Sequence, residues 1–325
     1  MQFIPEYEPV KKLYLCFVRE FFDTRFHYGR AQCEIIRAAQ PEVEIELLIS
    51  PDEIAVFRAI CEAQGVALTR VTFNHDTPAR SILAEYAPIF ARDEQGNRVG
   101  LTFRNPLLEN GAALKDFSER MLVREGFQPW NTGMDFSTAH LLVNEDVVFL
   151  SEYFFREGRQ RRAYEMLRRA FPTYHFYLVP GLAGDVTHDL DMYLWPIAPK
   201  TWVVSEYAQG TPQAQSVAPA VQRLKAHGHR VHFVPGLERI KYADVDTMPN
   251  YANGVIINRT ALVPAYQRSE DRIVQEILSA YGYRVRPIDC SHIILSNSGV
   301  HCISKTIPSN TADDAGRFRE EEIGA

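Results

Sequence analysis

The sequence predicts one α/β domain built from strand–helix–strand units repeated with radial pseudo-symmetry. Three observations carry this expectation. Short β-branched runs alternate with amphipathic helical runs along the chain. One such unit recurs with visible sequence similarity. The doubly wound alternative lacks support, because no glycine-rich dinucleotide or phosphate loop is present.

The elements follow in order. VEIELLIS, residues 43–50, reads as a strand. Ser50, Pro51, Asp52 and Glu53 read as a capping box with proline in the first helical position. The helix IAVFRAICEAQ stops at Gly65, and the strand VTF follows. Two diverged strand–helix–strand passages therefore lie between Met1 and His75. FLSEY at 149–153 leads into the helix GRQRRAYEMLRRAF and then FYLVPGL at 176–182. VVSEY at 203–207 leads through a helix ending at Gly228 into HFVPGL at 232–237. Ser151 recurs as Ser205 and Val179 as Val234, and these two pairs set the period of the repeat. A third copy runs from TALVPAYQ through EDRIVQEILSAYG to YRVRPID. About five units fit the length. No linker rich in Pro, Gly or Ser interrupts them, so residues 1–308 read as a single domain. The tail SNTADDAGRFREEEIGA, 309–325, is small, polar and acidic, and reads as loose.

Composition narrows the function. A net charge of −6 leaves no basic footprint for nucleic acid. No apolar run approaches the ~18 residues of a membrane helix, and no signal peptide is legible. The five cysteines (16, 33, 61, 290, 302) are an odd number without a CxxC pair, which fits a reduced cytoplasm.

HIILSNSGVHCISKTIP, 292–308, reads as strand, turn at Ser296–Gly299, and strand. Alternation along a strand puts His301 and Cys302 on opposite faces, which removes His301 as a base for Cys302. Taken locally, a cysteine flanked by Val and Ile reads as a packing residue.

GVHCISKTIP, together with NYANGVIINRTALVPAY at 250–266, EYEP near the start and IDCSHII at 288–294, resembles the agmatine deiminase and bacterial peptidylarginine deiminase family. The resemblance covers most of the chain. It implies the pentein fold, a pseudo-symmetric propeller of five ββαβ blades, and guanidine-modifying chemistry on a small cationic substrate. It implies that Cys302 is the nucleophile. The chemistry needs a thiolate, paired carboxylates to hold a planar guanidinium, and a histidine to protonate departing ammonia and activate water. No cofactor is implied.

Three elements depart from the family pattern. Its H-x-D element corresponds to THDLDMYL, 187–194, where Asp191 matches the aspartate and Asp189 fills the histidine position. His188 lies one residue early, and in a regular strand it faces away from Asp189 and Asp191 unless a bulge or turn intervenes. The RDxGP element corresponds to LAEYAP, 83–88, with Glu85 for the aspartate and Ala84 for the arginine. Otherwise Glu85 is an ordinary surface glutamate. The EGGN element corresponds to STAH, 137–140, which brings in His140, read as a substrate contact or as a strand-face histidine with a local partner, and leaves Asp135 as a displaced carboxylate. Asn297-Ser298 replaces a glycine pair, and asparagine tolerates left-handed backbone.

The expected reaction is hydrolysis of a guanidine C–N bond. Cys302, His188 and Asp191 are the catalytic set, and Glu85, Asp189 and His140 the substrate contacts. The sequence leaves open a dihydrolase or amidinotransferase, a degenerate propeller that only binds, and a homo-oligomeric state. Two other features are set aside. HGHRVH at 227–232 spans a helix end and a strand start without a carboxylate to complete a metal site. RRAYEMLRR at 161–169 reads as a solvated helix face. No metal is expected, at the Asp189–Asp191 pair or elsewhere.

Overall fold

The computed structural model describes residues 1–19, 27–155, 160–242 and 245–309. They form two compact units, each discontinuous in sequence: residues 1–5 with 83–252, and 6–82 with 253 onward. Most of the acidic tail, and Gly158-Arg159 of one expected helix, lie outside the described residues. Among the described residues no helix is long and apolar enough to cross a membrane.

The first unit holds three ββαβ modules. Strands β5 (Ile89–Arg92) and β6 (Arg98–Arg104), helix α3 (Gly111–Arg124) and strand β7 (Gln128–Asp135) form one, with β1 (Gln2–Phe3) added at the edge. Strands β8 (Leu141–Asn144) and β9 (Val147–Ser151), helix α4 (Arg161–Ala170) and strand β10 (His175–Val179) form the next. Strands β11 (Leu194–Ala198) and β12 (Thr201–Glu206), helix α5 (Pro212–Ala226) and strand β13 (Arg230–Pro235) form the third. A hairpin of β14 (Ile240–Tyr242) and β15 (Val245–Thr247) follows. In each module the first two strands are antiparallel and the third lies parallel to the second. A parallel partner needs a crossover, and the helix supplies it.

The second unit holds two modules. Strands β16 (Val255–Ile257) and β17 (Thr260–Ala265), helix α6 (Asp271–Ala280) and strand β18 (Arg284–Asp289) repeat the same pattern. The other joins sequence-distant segments. Strand β19 (Ser304–Pro308) runs antiparallel to β2 (Val10–Cys16), which crosses through α1 (Tyr28–Ala39) to β3 (Glu44–Leu48). Helix α2 (Ile54–Ala63) then adds β4 (Val71–Asn74) parallel to β3.

The expected number of modules is met, but their assignment changes. The two passages read between Met1 and His75 share β3 and make one sheet. The remaining module is β5–β6–α3–β7, where Arg92 ends β5, Arg98 and Arg104 bound β6, and β7 lacks the VPGL found at the ends of β10 and β13. The repeat was legible because of burial. The middle strand β9 is buried throughout and reads as a continuous apolar run, whereas edge strands β10 and β13 mix exposed and buried positions. Phe149 of β9 meets Trp202 of β12 edge-on at 5.7 Å within a core that includes Leu142, Val204 and Leu224.

Local expectations fare unevenly. Pro51 sits at the helix start and the helix ends at Gly65 with φ 62°. The capping box itself does not form. The first turn is 3-10, Ser50 bonds the Asp52 carboxylate, and Glu53 accepts the Arg19 N–H at 2.5 Å. Helix α5 is capped, with the Thr211 hydroxyl accepting the Ala214 N–H at 3.2 Å. Arg161, Arg162, Arg168 and Arg169 are exposed, as a solvated helix face requires. The two strands read at 292–304 are corrected. Ile293–Ser296 is a 3-10 turn, Asn297 is left-handed at φ 55°, residues 300–303 form a further turn, and the strand starts only at Ser304. Small polar side chains explain this: Tyr28 bonds Ser298 at 2.9 Å, and the Ser304 hydroxyl donates back to the Val300 carbonyl at 2.7 Å.

Candidate active site

The loop from β10 to β11 carries GLAGDVTHDLDMY, residues 181–193. The strand expected at 187–191 is not there. Asp185 opens an Asx-type turn in which the Thr187 hydroxyl donates to its carboxylate at 2.6 Å. The Asp189 N–H donates to Thr187 Oγ1 at 3.2 Å. His188, between them, takes a left-handed backbone with φ 57°. Its ring stacks on Tyr153, centroids 4.5 Å apart. Gly181 packs directly beneath: a Cβ there would lie 2.7 Å from the His188 Cα, so only glycine allows the approach. Residues 190–192 then form a 3-10 turn that buries Asp191.

Two more 3-10 turns pack with this one. Residues 83–85 sit on residues 138–140, which in turn sit on 190–192. The Thr138 hydroxyl donates to the Ala84 carbonyl at 2.5 Å. His140 is fully buried, on a turn rather than on the strand face expected. Its Nε2 lies 2.7 Å from Asp189 Oδ1 and 3.0 Å from the Thr187 carbonyl oxygen. A carbonyl only accepts, so Nε2 carries the proton and Nδ1, buried without a hydrogen-bond partner, does not.

Electrostatics agree with that tautomer. Burial pushes His140 down to about 4, against the pull of the Thr187 carbonyl and of Asp191, Asp185 and Glu85. Burial raises Asp189 well above the carboxylate range, and Asp191, Glu85 and Asp185 push the same way. Burial raises Asp185 to about 6, opposed by its bonds to Thr187. Four carboxylates thus repel one another around one neutral imidazole. A cation is the ligand that relieves this, and a carboxylate can accept two parallel N–H bonds from a planar one.

The structure therefore brings Glu85, His140, Asp189 and Asp191 together, with His188 in the adjoining turn. Asp185 was missed by sequence reasoning; the D-x-T turn signal was its one trace. Asp135 does not join them, because Arg104 grips its carboxylate with two N–H groups.

Cys302 belongs to the second unit and is 2 % exposed. The fully buried Asn253 holds it at two points. The Asn253 amide N–H donates to Sγ at 3.1 Å, and its Oδ1 accepts the Cys302 N–H at 3.2 Å. Gly299 makes room, since a Cβ there would lie 2.4 Å from Asn253 Oδ1. A donor aimed at sulfur suits a thiolate acceptor. His301 is engaged elsewhere: its Nε2 meets Glu6 at 2.8 Å, and Lys305 meets the other Glu6 oxygen at 3.0 Å. Burial works to raise Glu6, but His301 and Lys305 outweigh it and hold the carboxyl far below its usual range. Strand alternation was the wrong reason to separate His301 from Cys302, because residues 300–303 form a turn. Asn253 lies in the NYANGV stretch but was given no role from sequence.

Comparisons with known proteins bear on the fold and the family. No curated protein matches the chain. The agmatine deiminase of C. jejuni is 16 % identical, with a TM-score of 0.75 over 94 % of this chain and 95 % of that one. The agmatine deiminase of Enterococcus faecalis is 16 % identical, with a TM-score of 0.77 over 95 % of this chain and 96 % of that one. DDAH from Pseudomonas aeruginosa is 13 % identical, with a TM-score of 0.56 over 92 % of this chain and 100 % of that one. The fold is thus the pentein fold, with its five small mixed sheets. The sequence-family match runs through residues 2–308. On that match the chain belongs to the Porphyromonas-type peptidyl-arginine deiminase family, a family of guanidino-group deiminases.

Proposed function

We propose that this protein is a cysteine-dependent deiminase of a small cationic guanidine. Residues 1–308 serve as one catalytic domain, with 309–325 a tail outside it. The Cys302 thiolate attacks the guanidinium carbon. The C–N bond to one terminal nitrogen breaks, and that nitrogen leaves as ammonia on receiving a proton from His188. Water, deprotonated by the same histidine, then attacks the amidino-thioether. The ureido product departs and the thiolate returns. Asp191 and Glu85 orient the cation, and Asp189 and His140 complete its surroundings.

The observation that carries the reading is the gathering of the half-buried Glu85 with the buried Asp185, Asp189 and Asp191 about His140, which a bound cation would stabilise. The turn at His188 supports its role, since a regular strand would turn its side chain away. The five cysteines are free, which favours a cytoplasmic setting.

The test is incubation with agmatine, free arginine and arginyl peptides, with ammonia and ureido product measured. At least one guanidine should turn over, and Cys302→Ser should abolish it. Mass spectrometry of trapped protein should place the adduct on Cys302. No turnover with any guanidine would sink the deiminase reading, and an adduct without ureido product would turn it toward amidino transfer.

A further inference from the structure

The HGHRVH stretch was set aside because nothing completed it. In the structure Asp146 does. It sits at the tip of the β8–β9 hairpin, and its carbonyl accepts the N–H of His175, the first residue of β10, at 2.7 Å. His227 reaches the same spot from the end of α5. Its Nδ1 lies 3.1 Å from Asp146 Oδ2, and its ring lies 4.4 Å from that of His175.

The partners beyond these three are arranged as second partners of metal ligands are. His229, whose side chain is fully buried, places Nε2 3.1 Å from Asp146 Oδ1. The Trp202 indole N–H donates to His229 Nδ1 at 3.0 Å. Indole only donates, so His229 Nδ1 is bare and Nε2–H donates to Asp146. That fixes one carboxylate oxygen and leaves the other to point at His227. Tyr177 Oη lies 2.7 Å from His227 Nε2 and can accept its N–H, which frees the Nδ1 lone pair to share an ion with Asp146 Oδ2. His229 itself is not a ligand, because it cannot give up the Nε2 proton without losing Trp202.

We infer that Asp146, His175 and His227 form a site for one divalent transition-metal ion of borderline softness, Zn(II) or Co(II). Two imidazole nitrogens and a carboxylate oxygen are the donor set such ions favour. A tetrahedron with bonds of about 2.0–2.1 Å has edges of about 3.3 Å, close to the 3.1 Å between His227 Nδ1 and Asp146 Oδ2. The ligand atoms of the three residues lie within 4.8 Å of one another. His175 is exposed, so rotation of its side chain closes the remaining gap. Water completes the coordination. The ion ties the β8–β9–β10 module to helix α5 of the next and plays no part in the guanidine chemistry.

The experiment uses the full chain without a histidine tag, stripped with EDTA. Zn(II) is titrated in competition with a chromophoric chelator, and Co(II) is followed by its visible absorption. One equivalent per chain is expected. His175→Ala and Asp146→Asn should each weaken binding tenfold or more, Tyr177→Phe by about tenfold, and His232→Ala not at all. Zn(II) should raise the melting temperature of the native sequence and not of His175→Ala. Circular dichroism of the metal-free variants checks that they fold. Absence of stoichiometric binding, or binding that survives both ligand variants, overturns the site, and neither result touches the deiminase reading.

Discussion

Replacing Asp185 by asparagine should stabilise the protein in a pH-dependent way. The folded chain holds the Asp185 proton up to about pH 6, whereas the ordinary value is 3.8. Below pH 3.8 the carboxyl is protonated folded or unfolded and costs nothing. As the pH rises from 3.8 to about 6 the unfolded chain ionises while the folded chain, which buries the group to 2 % exposure, does not, so stability falls across that window and levels off above it. Roughly two pH units at 1.36 kcal/mol each make the loss about 3 kcal/mol. Asp185→Asn never ionises, yet its side-chain carbonyl still accepts the Thr187 hydroxyl. The variant should therefore match the native chain near pH 4 and exceed it by up to about 3 kcal/mol above pH 7. His140 runs the other way: burial lowers it from 6.5 to about 4, so its contribution is full above 6.5 and lost as the pH falls toward 4. The two slopes oppose one another between pH 4 and 6, and the substitution should expose the histidine's. Urea unfolding followed by tryptophan fluorescence at unit steps from pH 4 to 8 measures the difference directly. A pH-independent offset, or a less stable variant at pH 7, would refute the reasoning. If the carboxylates hold substrate, the same variant should lose affinity for it while gaining stability.

Three further outcomes are expected. Gly181→Ala places a methyl 2.7 Å from His188 Cα, so thermal unfolding should show a loss of about 1–3 kcal/mol, and activity should fall more than stability explains. Asn253→Ala removes both bonds to Cys302, which should cost about 1–3 kcal/mol in urea titrations and alter the alkylation rate of Cys302. Ser50→Ala should stay within about 0.5 kcal/mol of the native chain, because Ser50 bonds Asp52 and no helix N–H; a loss above about 1 kcal/mol would show a cap the structure does not have.

Much of the fold was legible because it is written in burial. A middle strand such as FLSEY or VVSEY is covered on both faces, and its partner ending in VPGL is half exposed, so the recurrence of Ser151 as Ser205 and Val179 as Val234 survives in the letters. The β5–β6–α3–β7 module escaped because β7, QPWNTGMD, carries none of the VPGL recurrence that marks β10 and β13. The site was harder. Cys302, Asp191 and Glu85 were singled out only through family motifs, since a buried cysteine and two acids announce nothing on their own. The pairing of His140 with Asp189 depends on the turns at 83–85, 138–140 and 190–192, which lie on separate modules' approaches, and no local pattern encodes it. Both strand-alternation arguments failed for one reason. Residues 187–191 and 300–303 are turns stabilised by short polar side chains, which compete with sheet pairing and leave no periodicity to read.

The pairing of β19 with β2 has a consequence for biosynthesis. Ser304 lies opposite Leu15, so the strand VKKLYLC emerges from the ribosome almost a full chain length before its antiparallel neighbour. At about 5–20 residues per second that wait is roughly 15–60 s. Throughout it, one edge of the β2–β3–β4 sheet stands open and able to recruit a strand from another chain. Lys11 and Lys12 lie on that strand, and Lys12 is paired with Glu46 of β3. Charges on a waiting edge oppose pairing with a second copy, so the two lysines guard the nascent chain before they serve the finished one.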